Sequence, residues 1–110
     1  MWVFSETGFI SAISKSGDLF QVRARDRQSL EDLAVSTGLE IIKTPQGDYP
    51  YRVELAREQF VTWMIEQMEA IDYNNFKSRV HDTRGYEFVS PLHQVWSIMH
   101  EVEDKDARTK

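Results

Sequence analysis

Leu19-Phe20-Gln21-Val22-Arg23-Ala24-Arg25 decides the fold class of this chain. From Phe20 onward, Phe20, Val22 and Ala24 alternate with Gln21, Arg23 and Arg25. A period of two marks a strand with one face on a core and the other in water. Upstream, Lys15-Ser16-Gly17-Asp18 has hairpin-grade turn chemistry, because Gly17 takes positive φ cheaply. The run Phe9 to Ser14 before it supplies the partner strand, which Trp2 to Phe4 opens and Gly8 bends.

Downstream, a short helix is expected. Asp26 or Ser29 suits its cap, with Ser29 and Asp32 at capping-box spacing. Leu30, Leu33 and Ala34 form its apolar stripe, and Gly38 stands where a helix takes its C′ residue. Leu39 to Thr44 and Tyr49 to Leu55 then read as a second strand pair joined by Pro45-Gln46-Gly47-Asp48. Pro50 cannot donate to a ladder, which puts the start of that last strand on an edge or at a bulge.

Two longer helices close the chain. Phe60, Val61, Trp63, Met64, Ile65, Met68 and Ile71 share an arc of about 200°. Phe88, Val89, Leu92, Val95, Trp96, Ile98, Met99 and Val102 cover about half of a second helix. Stripes this wide predict two packing surfaces per helix: the sheet, and either the other helix or a partner protein. Trp63, Met64, Met68, Trp96 and Met99 are expected in one core. The polar link from Asp72 to Gly85 has room for a short helical piece, with Asp72 or Asn74 as its cap.

The order ββαββαα is α+β: a four-stranded antiparallel or mixed sheet covered mainly on one face by helices. At 110 residues, residues 1–102 make one domain, and residues 103–110 read as a frayed charged tail. With 41% apolar and 28% charged residues, the mix is that of an ordinary globular domain. The net charge of −5, from 13 basic and 18 acidic residues, speaks against a dedicated nucleic-acid binder. The absence of cysteine excludes disulfides, thiolate metal sites and cysteine nucleophiles. The start has no basic n-region, and its apolar stretch is cut at Glu6, so no secretory signal is read and a cytoplasmic home is expected. No apolar run approaches the roughly 20 residues of a bilayer span.

Met1-Trp2-Val3-Phe4, Gly8-Phe9, Val22-Arg23-Ala24-Arg25, Asp48-Tyr49-Pro50-Tyr51-Arg52, Asp72-Tyr73-x-Asn75-Phe76-Lys77 and Val95-Trp96 together resemble a family of small bacterial and phage proteins with no assigned activity. The likeness runs from Met1 to about Met99. It implies a bacterial or phage origin and supplies no catalytic residues.

Three groups of residues invite chemistry. Arg23 and Arg25 share the polar strand face, with Arg27 just beyond, and together suit a phosphate or carboxylate. The same residues also fit a solvated outer sheet face paired to acids. Lys77, Arg79, His81 and Arg84 form the one locally basic segment, beside Tyr73 and Phe76 as stacking platforms. Four basic groups without a wider field bind nucleic acid weakly at physiological salt, and a polar connector plugged by Phe76 and Val80 explains them equally. Tyr51, Arg52, Asp72, Tyr73, Asn75 and Lys77 lie at element boundaries, where they would serve a small-ligand cleft, an acid–base site, or caps and rim packing.

Metal chemistry finds no support. His93 and His100 are seven residues apart on one helix, about 10.5 Å, too far to share an ion. HExxH, P-loop, GxGxxG and GxSxG patterns are all missing, and no cofactor is expected. The sequence therefore favours a non-enzymatic binding or regulatory protein acting through protein–protein contact, with a homodimer as one form. A nucleic-acid or nucleotide-binding module using Arg23, Arg25, Lys77, Arg79 and Arg84 is the alternative. A small enzyme with a cleft of Tyr51, Arg52, Asp72 and Lys77 comes third.

Overall fold

The computed structural model describes residues 1–109. Its elements are β1 (Trp2–Ser5), β2 (Gly8–Ser16), β3 (Leu19–Ala24), α1 (Gln28–Thr37), β4 (Ile42–Lys43), β5 (Tyr51–Ala56), α2 (Arg57–Glu69), α3 (Phe76–Arg84) and α4 (Tyr86–Ile98), which runs on into a 3-10 turn (Met99–Val102). The strands form one antiparallel sheet in the order β1-β2-β3-β5-β4. The fold is α+β as the alternation predicts.

The sheet has five strands where four are expected. Trp2–Ser5 does not run into β2 but folds back on it through Glu6 and Thr7, with Ser5 opposite Gly8. Thr7 N–H donates to Ser5 Oγ at 3.3 Å, and the two hydroxyls lie 2.8 Å apart, so side chains support a turn that lacks Gly or Asn at its centre. At the far edge, β4 is only two residues long and pairs with Tyr51 and Arg52. Thr44 N–H also donates to the carbonyl of Pro50 at 2.7 Å, so the start of β5 is flanked on both sides. Only Val53–Ala56 of β5 lack a β4 neighbour.

The main core lies between the sheet and α1 with α2. Ile10, Ala12, Val22, Ala24, Val53 and Leu55 meet Leu30 and Leu33 of α1 and Phe60 and Trp63 of α2. Trp63 donates its indole N–H to Asp32 Oδ2 at 2.8 Å, fastening α2 to α1. The first turn of α1 has no side-chain cap. Ser29 is instead buried and accepts from the N–H of Phe9 at 3.2 Å, so it ties α1 to β2. Gly38 ends α1 at φ 71°, its N–H bonded to the carbonyl of Ala34. The short helix in the link is α3, capped by Asn75 rather than by Asp72 or Asn74: Asn75 Oδ1 accepts from Ser78 N–H at 3.0 Å.

The two long helices do not pack on each other. Phe60 and Trp63 put α2 on the core face, while Phe88, Leu92 and Val95 of α4 lie with Phe4 and Phe9, whose side chains point to the opposite face of the sheet. Trp63 is buried and Met64 half-buried, but Met68, Trp96 and Met99 are exposed, against expectation. Each helix still meets a second surface, α2 packing on α1 as well as the sheet and α4 on α3, while the outer flank of each stripe stays in solvent. The shape agrees: the radius of gyration is 15.7 Å, with one extent of 50 Å, against about 13 Å for a compact chain of this length.

Arg84 holds α3 to the end of the sheet. Its buried guanidinium pairs with Asp26, donates to the carbonyl of Thr7 at 2.7 Å, and stacks on Phe88 at 4.4 Å. Gly8, at φ 143°, makes room for it, since a Cβ there would overlap Ser29 Oγ and Arg84 Nη1. After Val102, residues 103–109 are exposed turns, in which Arg108 pairs with Glu103. Lys110 of the expected tail lies outside the described residues. Among the described residues, no helix is long and apolar enough to cross a membrane.

Candidate functional site

The outer face of the sheet is where chemistry-bearing residues converge. Strand register lines up Trp2, Ser11, Arg23, Arg52 and Ile42 in one row across all five strands. Phe4 and Phe9 form a neighbouring row toward one end, and Gln21 and Glu54 one toward the other. Arg23 and Arg25 therefore do share a face, as their spacing predicts, and Arg52 joins them from β5.

Aromatic and hydroxyl groups organise these cations. The ring of Tyr49 has the guanidiniums of Arg23 and Arg25 each 4.5 Å from its centroid. Arg23 donates from Nη2 to Ser11 Oγ at 2.9 Å. Arg25 reaches the carbonyl of Asp48 at 2.6 Å and its carboxylate at 3.4 Å. Glu54 lies 3.9 Å from Arg52 and 3.6 Å from Lys15. The Nε atoms of Arg23 and Arg52 are buried without a hydrogen-bond partner.

Beside this cluster runs an apolar cleft of about 470 Å³ between the sheet and α4. Trp2, Phe4 and Phe9 form its floor, Phe88, Pro91, Leu92 and Val95 its wall, and Arg25 with Tyr49 its polar end. Phe4 stacks on Phe9 at 4.6 Å, and Trp2 meets Phe9 edge-on at 5.7 Å. A concave apolar wall with a few polar groups at one end is the usual form of a binding site. The apolar side of α4 continues past the sheet, where Trp96, Ile98, Met99 and Val102 are exposed.

The remaining candidates do not gather in one place. Tyr51 and Arg52 are successive strand residues on opposite faces, and Tyr51 packs against the core. Asp72 pairs with Arg79, which also meets Glu6 at 3.1 Å and lies over the ring of Tyr73. Those two carboxylates, Asp72 foremost, hold the Arg79 guanidinium further into its charged form than usual. Asn75 is committed to its cap. Lys77 sits 3.2 Å from His93 Nδ1 and over the ring of Trp96, on an open trough between α3 and α4 that His81 and Asp82 also line. Of the basic segment, then, Arg79 and Arg84 are occupied in holding α3 in place. His93 and His100 both pack on Trp96, at 5.3 and 4.8 Å between ring centroids.

Sequence reasoning missed Tyr49 as the plate between two arginines, Ser11 as their hydroxyl, and the whole cleft. Each depends on register or on which sheet face α4 covers. Comparisons with protein-family models, with curated proteins and with solved structures find no match to this chain.

Proposed function

We propose that the protein is a non-enzymatic binding protein of bacterial or phage origin that works in the cytoplasm by protein–protein contact, and that a second copy is the partner its α4 surface takes. One observation carries this reading. The apolar stripe of α4 faces the sheet across the cleft at Phe88, Leu92 and Val95 and then continues past it, exposed, through Trp96, Met99 and Val102. Monomers rarely leave such a contiguous apolar surface in water. Two such helix ends packed about a two-fold axis would cover each other, since an isologous contact needs only one self-complementary patch. Lys77, seated over Trp96, places a charge at the margin of the patch, where a polar rim belongs.

Light scattering tests the reading. The expected mass at micromolar concentration is twice 12.9 kDa, falling to 12.9 kDa in Met99→Glu. A mass of 12.9 kDa that does not rise with concentration contradicts it.

A further inference from the structure

We infer that the outer sheet face carries a phosphate-binding site formed by Arg23 of β3 and Arg52 of β5. The two residues stand directly opposite each other in the ladder. Like charges so placed repel, and a guanidinium cannot relieve that repulsion by losing its proton. The neighbouring carboxylates are too few. Glu54 lies 3.9 Å from Arg52 and is shared with Lys15, while Arg23 pairs with no carboxylate among the described residues. Among the described residues, Lys15, Arg25 and Arg52 form ion pairs only with Glu54 and Asp48 and Arg23 with no acid, although the whole chain carries −5.

The donors are as telling as the charges. Nε of Arg23 and Nε of Arg52, like that of Arg84, are shut off from solvent and make no hydrogen bond, the Arg52 atom having only Glu54 Oε1 at 3.9 Å for a charged neighbour. A charged donor left unmade in such a place is costly. The Nε–H and the adjacent Nη–H of a guanidinium form a planar fork that fits two oxygens of a phosphate. Turning the two guanidiniums toward a bound group between the strands would satisfy both forks. A dianion would also cancel both charges, whereas a carboxylate would cancel one. The ligand class is therefore the phosphate dianion, free or as a monoester.

The setting supports the same ligand. Ser11 Oγ accepts from Arg23 and keeps its own proton to donate. Arg25, held over Tyr49 beside Arg23, adds a third cation. Trp2, in the same row, exposed and lining the cleft, offers a ring against which the organic part of a monoester can lie. None of these contacts uses the exposed end of α4, so the site is independent of self-association.

The test follows the arginine Nε–H resonances of the labelled full chain during addition of inorganic phosphate and then of phenyl phosphate, with ionic strength held constant. Saturable displacement confined to Arg23, Arg52 and Arg25, with Arg57 and Arg108 unmoved, is expected. Tighter binding of phenyl phosphate assigns the site to a monoester, and exclusion of phenyl phosphate assigns it to the free ion. Arg23→Gln and Arg52→Gln are each expected to weaken binding about tenfold. Arg52→Lys, which keeps the charge and loses the fork, should weaken it too. Non-saturating shifts spread over every arginine would overturn the proposal, as would unchanged binding in a folded Arg23→Gln/Arg52→Gln double variant. Should that variant not fold, the wild-type titration decides alone, because selectivity among the arginine signals needs no substitution.

Discussion

Gly8 and Arg84 show how single residues hold three elements together. The guanidinium of Arg84 enters the end of the sheet, pairs with Asp26 and takes the carbonyl of Thr7, and only a residue without a Cβ lets it pass. Gly8→Ala adds both overlap and strain at positive φ, so a loss of about 2–4 kcal/mol is expected from urea unfolding. A variant as stable as wild type would show that Arg84 does not pass over Gly8. Arg84→Ala leaves Asp26 unpaired, but Asp26 is half-exposed, so the expected loss is about 3 kcal/mol, the low end for a broken buried pair. At the other end of the chain, Arg108 and then His100 hold the Glu103 carboxyl below its usual range. A carboxylate with a lowered folded pKa stabilises above its unfolded value and loses that contribution as pH falls through the folded one. The turn at residues 103–109 should therefore be ordered at neutral pH and open on acidification. Glu103 side-chain shifts that titrate like those of an isolated glutamate would contradict this.

Among the elements, α2 and α4 look alike in sequence and differ in burial. Trp63 is 1% exposed and Trp96 is 54% exposed. Trp63→Ala should cost about 3–5 kcal/mol by thermal unfolding, as aromatic core truncations do, while Trp96→Ala in the dilute chain should cost less than about 1 kcal/mol. Equal losses would mean that α4 is buried as deeply as α2. Periodicity reports the width of an apolar stripe, not which surface covers it, so the two helices were readable as elements and not as layers. Other parts were plain from residues alone. The alternation from Phe20 to Arg25 places β3 and the face that carries its arginines, and Gly17 and Gly38 mark the turn and the helix end that they occupy. The β1–β2 turn was not legible, because Glu6 and Thr7 have no intrinsic turn signal and rely on Ser5 for support. For the same reason the pairing of Arg23 with Arg52 was out of reach: it follows from register, which a strand's own pattern does not contain.

At the scale of the whole molecule, the sheet separates two environments. Its inner face is a dry core with α1 and α2. Its outer face carries cations, an aromatic cleft and a helix that runs on past its support. The chain as a whole carries −5, whereas this outer face gathers Arg23, Arg25 and Arg52. The contact through the end of α4 is the central claim, and fluorine NMR of protein labelled with 5-fluorotryptophan reads it directly, since Trp2, Trp63 and Trp96 each give one resonance. On raising the concentration, the Trp96 resonance should shift and become shielded from solvent while the Trp63 resonance stays where it is. A Trp96 resonance that remains fixed and solvent-exposed at every concentration would contradict the account.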